Sequence, residues 1–349
     1  MPLANVCLIR SVASGSRRRN HPYGLGGSVK MKVRLLNISI KGARFCTDRS
    51  MKLDLIIPSH NRASLLRDCL NSICKARVPA GLEVTVFVVD NRSTDMTRSV
   101  VESFGDTVQY IYAGRPGKSA ALNDAIPQTH GEFVGFIDDD EQLDPSWFEV
   151  AYRELRADPE LQYIGGQYYP NWEKPAPGWF SDNHRGAVGI VLCSVRGSFS
   201  DDFRQMLMGG NAIISRETLK RVLPYPEELG KIGKKIRSGE DEVIYHRLLQ
   251  LGAKGIFVPE LIIYHWIPAE RLTKQYFRKW IVGCGISVGS QLRKRGFKEA
   301  GMLGIPRYQF GAAVRSLWPM LTKKSQQERF TAQLTILDCF ATLYGRHFY

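Results

Sequence analysis

The sequence predicts an α/β protein built on a mostly parallel, twisted sheet with flanking helices. From residue 51 onward, short apolar runs rich in β-branched residues alternate with amphipathic segments, and polar residues stand where the runs end. Such alternation indicates βαβ units with right-handed crossovers. The 349 residues are 44% hydrophobic and 23% charged, as in folded proteins. The length suggests about two domains, or one large domain with an appendage.

The predicted elements follow one another closely along the chain. "LDLIIP" is a strand, and "RASLLRDCLNSICKA" is a helix with one apolar face formed by Leu65, Leu66, Cys69, Leu70 and Ile73. "EVTVFVVD" is the second strand, and "STDMTRSVVESF" is a helix that Ser93 or Thr94 would cap. "VQYIYA" is the third strand, "GKSAALNDAI" is a helix, and "GEFVGFI" is the fourth strand.

Polar residues follow three of these strands. Residues 59–62 follow the first strand, Asp90 and Asn91 follow the second, and residues 138–140 follow the fourth. Each cluster has a simpler interpretation, because Asp90 could be a turn residue and the acids after the fourth strand a charged helix start. Ligands of such sheets bind at the carboxyl ends of the strands. Three clusters at three strand ends therefore predict a binding site.

The third cluster, "FIDDDE", concentrates negative charge at the end of a hydrophobic strand. Two like charges about 4 Å apart repel by roughly 4 kcal/mol at an effective dielectric of about 20. A divalent cation would compensate this repulsion, since carboxylate oxygens suit Mg²⁺ or Mn²⁺. Alternate residues of an extended segment face one side, so Asp138 and Asp140 can address one ligand. "PGKSA" is no phosphate loop, because Tyr112 replaces its first glycine.

Six motifs resemble, in order, those of family 2 glycosyltransferases with the GT-A fold. They are "PSHNR", "VVDNRSTD", "GKSAALN", "FIDDDE", "GGNAIISRETL" and "GEDEVIYHRLLQLG", and the resemblance covers roughly residues 53–266. Each motif alone is weak, whereas six in the right order are specific. The similarity is greatest to bacterial enzymes of exopolysaccharide and cell-surface glycan assembly. The resemblance implies a GT-A fold, a nucleotide-sugar donor and transfer to a glycan or lipid-linked acceptor.

The resemblance also implies residue roles in donor binding. The turn of Pro58 and Ser59, continued by Asn61 and Arg62, and the aspartate of the second strand, Asp90, would hold the nucleoside, with Asp90 accepting a hydrogen bond from a uracil ring. Lys118 would lie near the nucleotide, although taken alone it could be a surface lysine. Asp138, with Asp139, would meet the ribose. Gly210 and Asn211 would lie under the donor sugar, where glycine permits close approach.

The remaining implied roles concern the metal and the reaction. Asp140 would bind a divalent cation, Mn²⁺ or Mg²⁺, that bridges the diphosphate. His265 would be a further metal ligand, or else a structural histidine. Inverting transfer needs a base for the acceptor hydroxyl; the family's Glu-Asp pair maps to Asp241 as that base and to Glu240 as a group that orients the acceptor. For both, a charged first helical turn is the structural alternative.

These expectations define a metal-dependent inverting glycosyltransferase that uses a UDP-sugar, and alternatives remain. A nucleotidyltransferase lacks support, since the first strand is not followed by a glycine-rich start. An aspartate-based phosphatase would need Thr or Val where Gln142 stands. A non-catalytic protein that binds nucleotide sugars is the alternative from another class. Trp172 and Trp179, in an aromatic, proline-rich tract, could stack on sugars or pack on the domain.

Charge divides the chain into three predicted regions. Residues 1–50 hold ten Lys/Arg and one acid, the catalytic domain of residues 51–270 holds 24 and 30, and residues 271–349 hold 14 and three. The acidic middle argues against nucleic acid as a partner. The basic leader is interpreted as disordered or absent from the mature chain, with Met51 as an alternative start, or as a targeting peptide.

The region 271–349 predicts a basic, amphipathic helical extension. "YFRKWIVGC" places aromatic residues beside Lys/Arg, and "RYQFGAAVRSLWPMLTKK" repeats that pattern without an acid. Such helices bind membrane surfaces, although packing on the core is the alternative. The expected location is cytoplasmic and peripheral on the cytoplasmic face of a membrane. The seven scattered cysteines indicate reduced thiols.

Overall fold

The computed structural model describes residues 50–203, 205–227, 239–294 and 301–348. The basic leader, with the hypotheses about its role, lies outside the described residues apart from Ser50. The first half of the chain forms the predicted elements in the predicted order: β1 Met51–Ser59, α1 Ala63–Lys75, β2 Leu82–Asp90, α2 Thr97–Glu102, β3 Val108–Tyr112, α3 Lys118–Ala125 and β4 Phe133–Phe136.

Helix α2 begins later than the sequence suggests. Ser93 and Thr94 were the expected caps, but the helix starts at Thr97. Asp95 instead accepts hydrogen bonds from the backbone N–H of Thr97 (3.0 Å) and, across the loop, of Ala63 (2.9 Å). One carboxylate thus accepts from backbone donors at the starts of both α1 and α2. A local sequence pattern does not show the contact with α1, because Ala63 is distant in the chain.

The second half adds the rest of the sheet and three helices: β5 Glu141–Leu143, α4 Trp147–Ala157, β6 Tyr163–Trp172, β7 Gly197–Ser198, β8 Ala212–Ser215, α5 Arg216–Val222, α6 Glu240–Gln250 and β9 Gly255–Ile267. The final elements are a small hairpin and three helices: α7 Lys274–Lys294, β10 Gly301–Met302, β11 Ile305–Pro306, α8 Arg307–Thr322 and α9 Gln326–Phe348. None of the described helices is long and apolar enough to cross a bilayer.

The described strands β1 to β9 form one mixed sheet in the order β3-β2-β1-β4-β8-β6-β9-β5, with β7 also paired to β9. Strands β3, β2, β1 and β4 are parallel neighbours, and so are β6 and β9. Strands β5, β7 and β8 run the other way. The predicted mostly parallel α/β sheet is therefore confirmed, with antiparallel strands in its second half.

Two apolar layers cover the faces of the sheet. One layer holds the α1 face predicted from spacing, in which Leu66, Cys69, Leu70 and Ile73 are buried. The other layer packs α3, α5 and α6 on the opposite face. Because both faces are covered, β1 and β2 read as continuous apolar runs, and only their carboxyl ends emerge from the core.

The tail helices pack on the sheet domain. Phe277 and Ile281 of α7 are buried with Trp179, whose ring lies 5.2 Å from Phe277 and 4.9 Å from Phe330 of α9. Trp172 packs against Phe180 at 5.5 Å. The structure thus selects the packing alternative for both tryptophans, and it buries the apolar face of α7 that was expected at a membrane.

Helices α7 and α9 approach each other backbone to backbone. A Cβ placed on Gly289 would overlap the carbonyl oxygen of Thr342, and one on Gly345 would overlap that of Ile286. Glycine is therefore required on both sides of this crossing. The predicted boundary after residue 270 falls just before a helix that shares its core with residues 172–192.

Candidate active site

A cavity of about 520 Å³ opens at the carboxyl ends of β1, β2 and β4. These ends meet because Ser59 pairs with Asp90 in the β1–β2 ladder, and Ile137 continues the pairing beyond β4 by donating to Ile56 at 3.1 Å. Nine of the predicted site residues line the cavity: Pro58, Ser59, Arg62, Lys118, Asp138, Asp139, Asp140, Glu240 and His265. Residues separated by up to 207 positions in the chain thus share one cavity.

Lys118 at the start of α3 neutralises the first aspartate. Its Nζ lies 2.5 Å from Oδ1 of Asp138. Burial lowers the pKa of Lys118, but the nearby carboxylates, Asp138 foremost, outweigh burial and place it well above its ordinary value. Lys118 is therefore a fixed positive charge inside the cavity, and the surface alternative is wrong.

Asp139 points to the β1 turn. Its two carboxylate oxygens accept from Ser59 Oγ at 2.8 Å and from Arg62 Nη1 at 2.8 Å. Burial raises the pKa of Asp139 to about 6, against the charge of Arg62. This carboxylate holds the β1 turn and the β4 end together, which is a role that the sequence did not indicate.

Asp140 and His265 lie next to each other on the cavity wall. Oδ2 of Asp140 accepts from Arg62 Nη1 at 2.8 Å and lies 3.9 Å from Nε2 of His265. His265 Nδ1 lies 3.1 Å from the carbonyl oxygen of Val188, so Nδ1 carries the proton and Nε2 presents a lone pair. Burial lowers the pKa of His265, which keeps the ring neutral. A neutral, oriented imidazole beside a carboxylate is suited to a cation.

The donor set at this wall is small. Burial raises the pKa of Asp140, but the positive charge around it, Arg62 included, outweighs burial, so the carboxylate is ionised. Among the described residues no cluster of three or more His, Cys, Asp or Glu side chains is arranged to hold a metal ion. Asp140 and His265 therefore fit a cation that takes its other ligands from substrate phosphates and water, as Mg²⁺ commonly does.

Gly210 and Asn211 occupy positions that differ from the prediction. A Cβ on Gly210 would overlap the carboxylate of Glu141, which accepts from the Asp138 backbone N–H at 2.8 Å. Glycine at position 210 is thus required for close approach to the buried Glu141 carboxylate, whereas the prediction was close approach to the donor sugar. Asn211 is fully buried, and its amide bonds Trp147 Nε1 at 2.9 Å and two backbone carbonyls, those of Gln167 and Leu261. Assigning Asn211 to the sugar is wrong; the residue is structural.

Glu240 and Asp241 stand at the amino end of α6. Glu240 lines the cavity and is 8% exposed; burial, followed by the charge of Asp241, raises its pKa to about 7. The carboxylate of Asp241 packs against Gly209, where a Cβ would overlap it. Burial raises the pKa of Asp241, against the charge of Lys118. Glu240 thus lines the cavity, whereas Asp241 is not among the described residues that line it.

Two predicted nucleoside contacts lie beside the cavity rather than in its wall. Asp90 is buried, and its oxygens accept from the Ser93 backbone N–H at 2.8 Å and from Tyr110 Oη at 2.7 Å. Asn61 has a positive φ of 52°, and its side chain accepts from the Thr94 backbone at 2.7 Å. Both residues shape the loop between β2 and α2. Neither belongs to the described residues that line the cavity.

The cavity wall also contains residues to which sequence reasoning assigned no individual role. Arg271, in the short helix Ala269–Arg271 after β9, lines the cavity near Asp140 and His265. Asn91 accepts from the Gly117 backbone at 2.7 Å and donates to the Arg115 carbonyl oxygen at 2.5 Å, which fixes the loop before Lys118. Asn91 was predicted as a member of the polar cluster after the second strand, without a role of its own. Arg271 was not predicted, because only the turn after β9 brings it back to the wall.

The fold, with a nucleotide-type cavity at the ends of β1, β2 and β4 and a D-x-D segment beside it, is the GT-A fold of nucleotide-sugar transferases. Residues 54–223 match the model of glycosyl transferase family 2. The matched span is just under half of the chain, and it agrees with the resemblance drawn from its motifs.

Similar proteins come from bacteria and archaea. Glycosyltransferase GlyA of Streptococcus pneumoniae is 24% identical over 66% of this chain and 32% of its own length. Poly(ribitol-phosphate) beta-N-acetylglucosaminyltransferase TarS of Staphylococcus aureus is 35% identical over 29% of this chain and 18% of its own length. The matches thus span about a third or less of these two relatives.

A solved structure shares the fold. The mannosyltransferase PcManGT of Pyrobaculum calidifontis, in complex with GDP-Man and Mn²⁺, superposes with a TM-score of 0.55 over 84% of this chain and 88% of that one. The two sequences are 17% identical. At this identity the likeness shows the architecture, and the chemistry must be argued from the side chains described above.

Proposed function

We propose that the protein transfers a sugar from a nucleotide sugar, of the UDP type, to a glycan or lipid-linked acceptor, with inversion at the anomeric carbon. The observation that carries this proposal is the composition of the cavity. Three cationic side chains, Arg62, Lys118 and Arg271, the carboxylates of the D-x-D segment and Glu240 of α6 together form the wall of one cavity. Such a wall suits a diphosphate that leaves as a sugar is transferred.

The donor is held from one side of the cavity. In this proposal Pro58 and Ser59 contact the nucleoside, since they lie at the end of β1. Asp90, the last residue of the neighbouring strand β2, contacts the base of the nucleoside. Asp138 contacts the ribose, because its carboxylate pairs with Lys118 and is partly exposed in the cavity. Lys118 and Arg271 face the diphosphate. Asp139 acts as a positioning residue, since Ser59 and Arg62 hold both of its oxygens.

Asp140 and His265 would hold a divalent cation, Mn²⁺ or Mg²⁺. Such a cation, when bound, stabilises the negative charge that develops on the leaving diphosphate. The chain's own contribution is orientation, because the backbone N–H of Trp266 donates to the Asp140 carbonyl oxygen at 2.7 Å and Val188 fixes the imidazole. Asp140 and His265 are thereby held in position before the donor binds.

Asp241 is the proposed general base, and Glu240 the residue that orients the acceptor hydroxyl. Burial raises the pKa of both carboxyl groups, and a higher pKa makes a carboxylate a stronger base. Inversion requires a base on the side of the donor sugar opposite the leaving diphosphate, and this proposal assigns that role to Asp241 at the start of α6. The released proton would pass to Asp241 as the acceptor oxygen bonds to the anomeric carbon.

The first experiment measures release of nucleoside diphosphate from a panel of nucleotide sugars, with and without Mn²⁺, after a thermal-shift screen has selected the donor. Cation-dependent release from one donor is expected. Stabilisation by a donor without turnover under any condition would instead identify a non-catalytic binding protein. The anomeric configuration of the product, read by NMR, decides whether transfer inverts.

Asp241→Asn is the specific test of the base. We expect turnover to fall by at least roughly a hundredfold, the lower end of general-base effects, while the thermal shift caused by the donor persists. Glu240→Gln provides the comparison within the pair. Near-normal turnover of Asp241→Asn would remove this residue from the mechanism.

A lipid-linked acceptor would require the enzyme to work at a membrane. We therefore propose peripheral attachment, to the cytoplasmic face, through residues 271–349. These residues carry 14 Lys/Arg against three acids, and an anionic lipid surface attracts each basic residue by about 1 kcal/mol.

A further inference from the structure

Helix α8 carries an apolar stripe that faces away from the protein. Val314, Leu317, Trp318 and Leu321 recur at the i, i+3, i+4, i+7 spacing of one helical face, and they are 52%, 49%, 73% and 75% exposed. The opposite face of α8 packs inward on α9 through Ala313 and Gln309. We call these four residues the α8 stripe. An exposed face of this kind marks an interaction surface.

Neighbouring helix α9 exposes aromatic side chains as well. Phe340, Tyr344 and Phe348 are spaced by four residues and are 65%, 53% and 76% exposed. The rings of Tyr344 and Phe348 stack at 5.6 Å. Aromatic residues of this kind are favoured where hydrocarbon meets polar headgroups.

Basic residues surround the α8 stripe. Arg315 lies within it, Lys323 and Lys324 follow the end of the helix, and all three are exposed. The acid nearest along the chain, Glu328, is already paired with Lys323 at 3.0 Å. The surface is therefore apolar at its centre and positive around it.

The apolar centre and the basic surroundings of the α8 stripe together indicate which kind of partner it binds. A second copy of the chain would bring two strongly basic tails together, which like charges oppose. A surface of anionic lipid complements both features, because the headgroups attract Lys/Arg and the acyl boundary accepts the apolar side chains. Helix α8 has 16 residues and lies outside the core, as suits a helix in the plane of the interface.

We infer that the α8 stripe is the surface by which this protein docks on a membrane rich in anionic lipid, with Trp318 and Leu321 inserted at the acyl boundary. The buried apolar face of α7 is excluded from this role, although its sequence is as basic and aromatic as that of α8. The inference concerns binding and does not depend on the proposed transfer reaction.

The experiment uses the full chain and sedimentation with vesicles. Wild-type protein should bind vesicles of phosphatidylcholine and phosphatidylglycerol at 3:1, bind pure phosphatidylcholine weakly, and lose affinity as salt rises. The double variant Trp318→Glu/Leu321→Glu should bind these vesicles at least about tenfold more weakly, since it loses apolar area and adds negative charge. Val195→Glu, at an exposed apolar residue of another surface, is the matched control and should bind like wild type.

A second readout locates the inserted residue. Lipids brominated on the acyl chains should quench part of the tryptophan emission, and Trp318→Phe should lose that part while still sedimenting with vesicles. Equal binding by wild type and the double variant, or no wild-type binding to anionic vesicles, would overturn the inference. So would a dimer in analytical ultracentrifugation that the double variant abolishes, because the stripe would then hold a second copy.

Discussion

Replacing Glu240 by Gln should make the protein more stable at alkaline pH while lowering its activity. Burial raises the pKa of this carboxyl group from 4.5 to about 7, so the folded state penalises its ionised form. The shift of 2.5 pKa units corresponds to roughly 3 kcal/mol of unfolding free energy at pH well above 7. Glutamine keeps the size of the side chain and removes the charge.

The sign of the pH dependence follows from the raised pKa. Below pH 4.5 the group is protonated in both states and contributes no pH dependence, whereas between pH 4.5 and 7 the folded state alone keeps its proton. Stability from this group is therefore lost as pH rises through that window. Between pH 5.5 and 8.5, the advantage of Glu240→Gln over wild type should grow by roughly 2 kcal/mol.

Urea unfolding of both proteins at pH 5.5 and 8.5 measures this difference. Glu242→Gln is the matched control, because Glu242 lies on the same helical turn, is partly exposed and has His246 as its partner at 3.6 Å. The control should change stability by no more than about 0.5 kcal/mol at either pH. A Glu240→Gln variant that is no more stable than wild type at pH 8.5 would refute the reasoning from burial.

Three further variants test the site. Asn211→Ala should lower the unfolding free energy by about 3 kcal/mol in urea titrations, because buried groups lose their partners, and an unchanged stability would show that the amide is not structural. Gly210→Ala should reduce turnover by about tenfold, because its Cβ displaces the Glu141 carboxylate that holds Asp138; Gly178→Ala, with nothing within 4 Å, is its control, and equal turnover of the two would contradict the packing argument. Arg271→Gln should raise the donor KM by about tenfold and change kcat less, as loss of a charge-assisted hydrogen bond does, and an unchanged KM would place Arg271 outside the donor site.

The order of elements and the existence of the site were predictable from the sequence. Apolar runs and helical spacing located β1 to β4 and the buried face of α1, because these patterns depend on local periodicity. The polar residues at strand ends were predictable because parallel strands end at one edge of a sheet. The start of α2 was not, since Asp95 binds a donor at the start of another helix as well.

The direction in which individual side chains point was harder to predict from the sequence. Gly210 and Asn211 lie in one motif just before β8, yet both contact buried side chains: Gly210 packs against Glu141, and Asn211 accepts a hydrogen bond from Trp147. The two basic, aromatic segments of the tail read alike in sequence. Only tertiary packing distinguishes α7, which is buried, from α8, which is exposed, because Trp179 comes from a distant part of the chain.

The glycine crossing of α7 and α9 has a consequence for how the chain can be divided or recombined. Arg271 lines the cavity only three residues before α7 begins, and α7 is locked to α9 through Gly289 and Gly345. Exchanging the tail for that of a relative would therefore replace part of the cavity wall along with the α8 stripe. The sheet domain and its tail form one structural unit, so their separate contributions are accessible to point substitutions rather than to truncation.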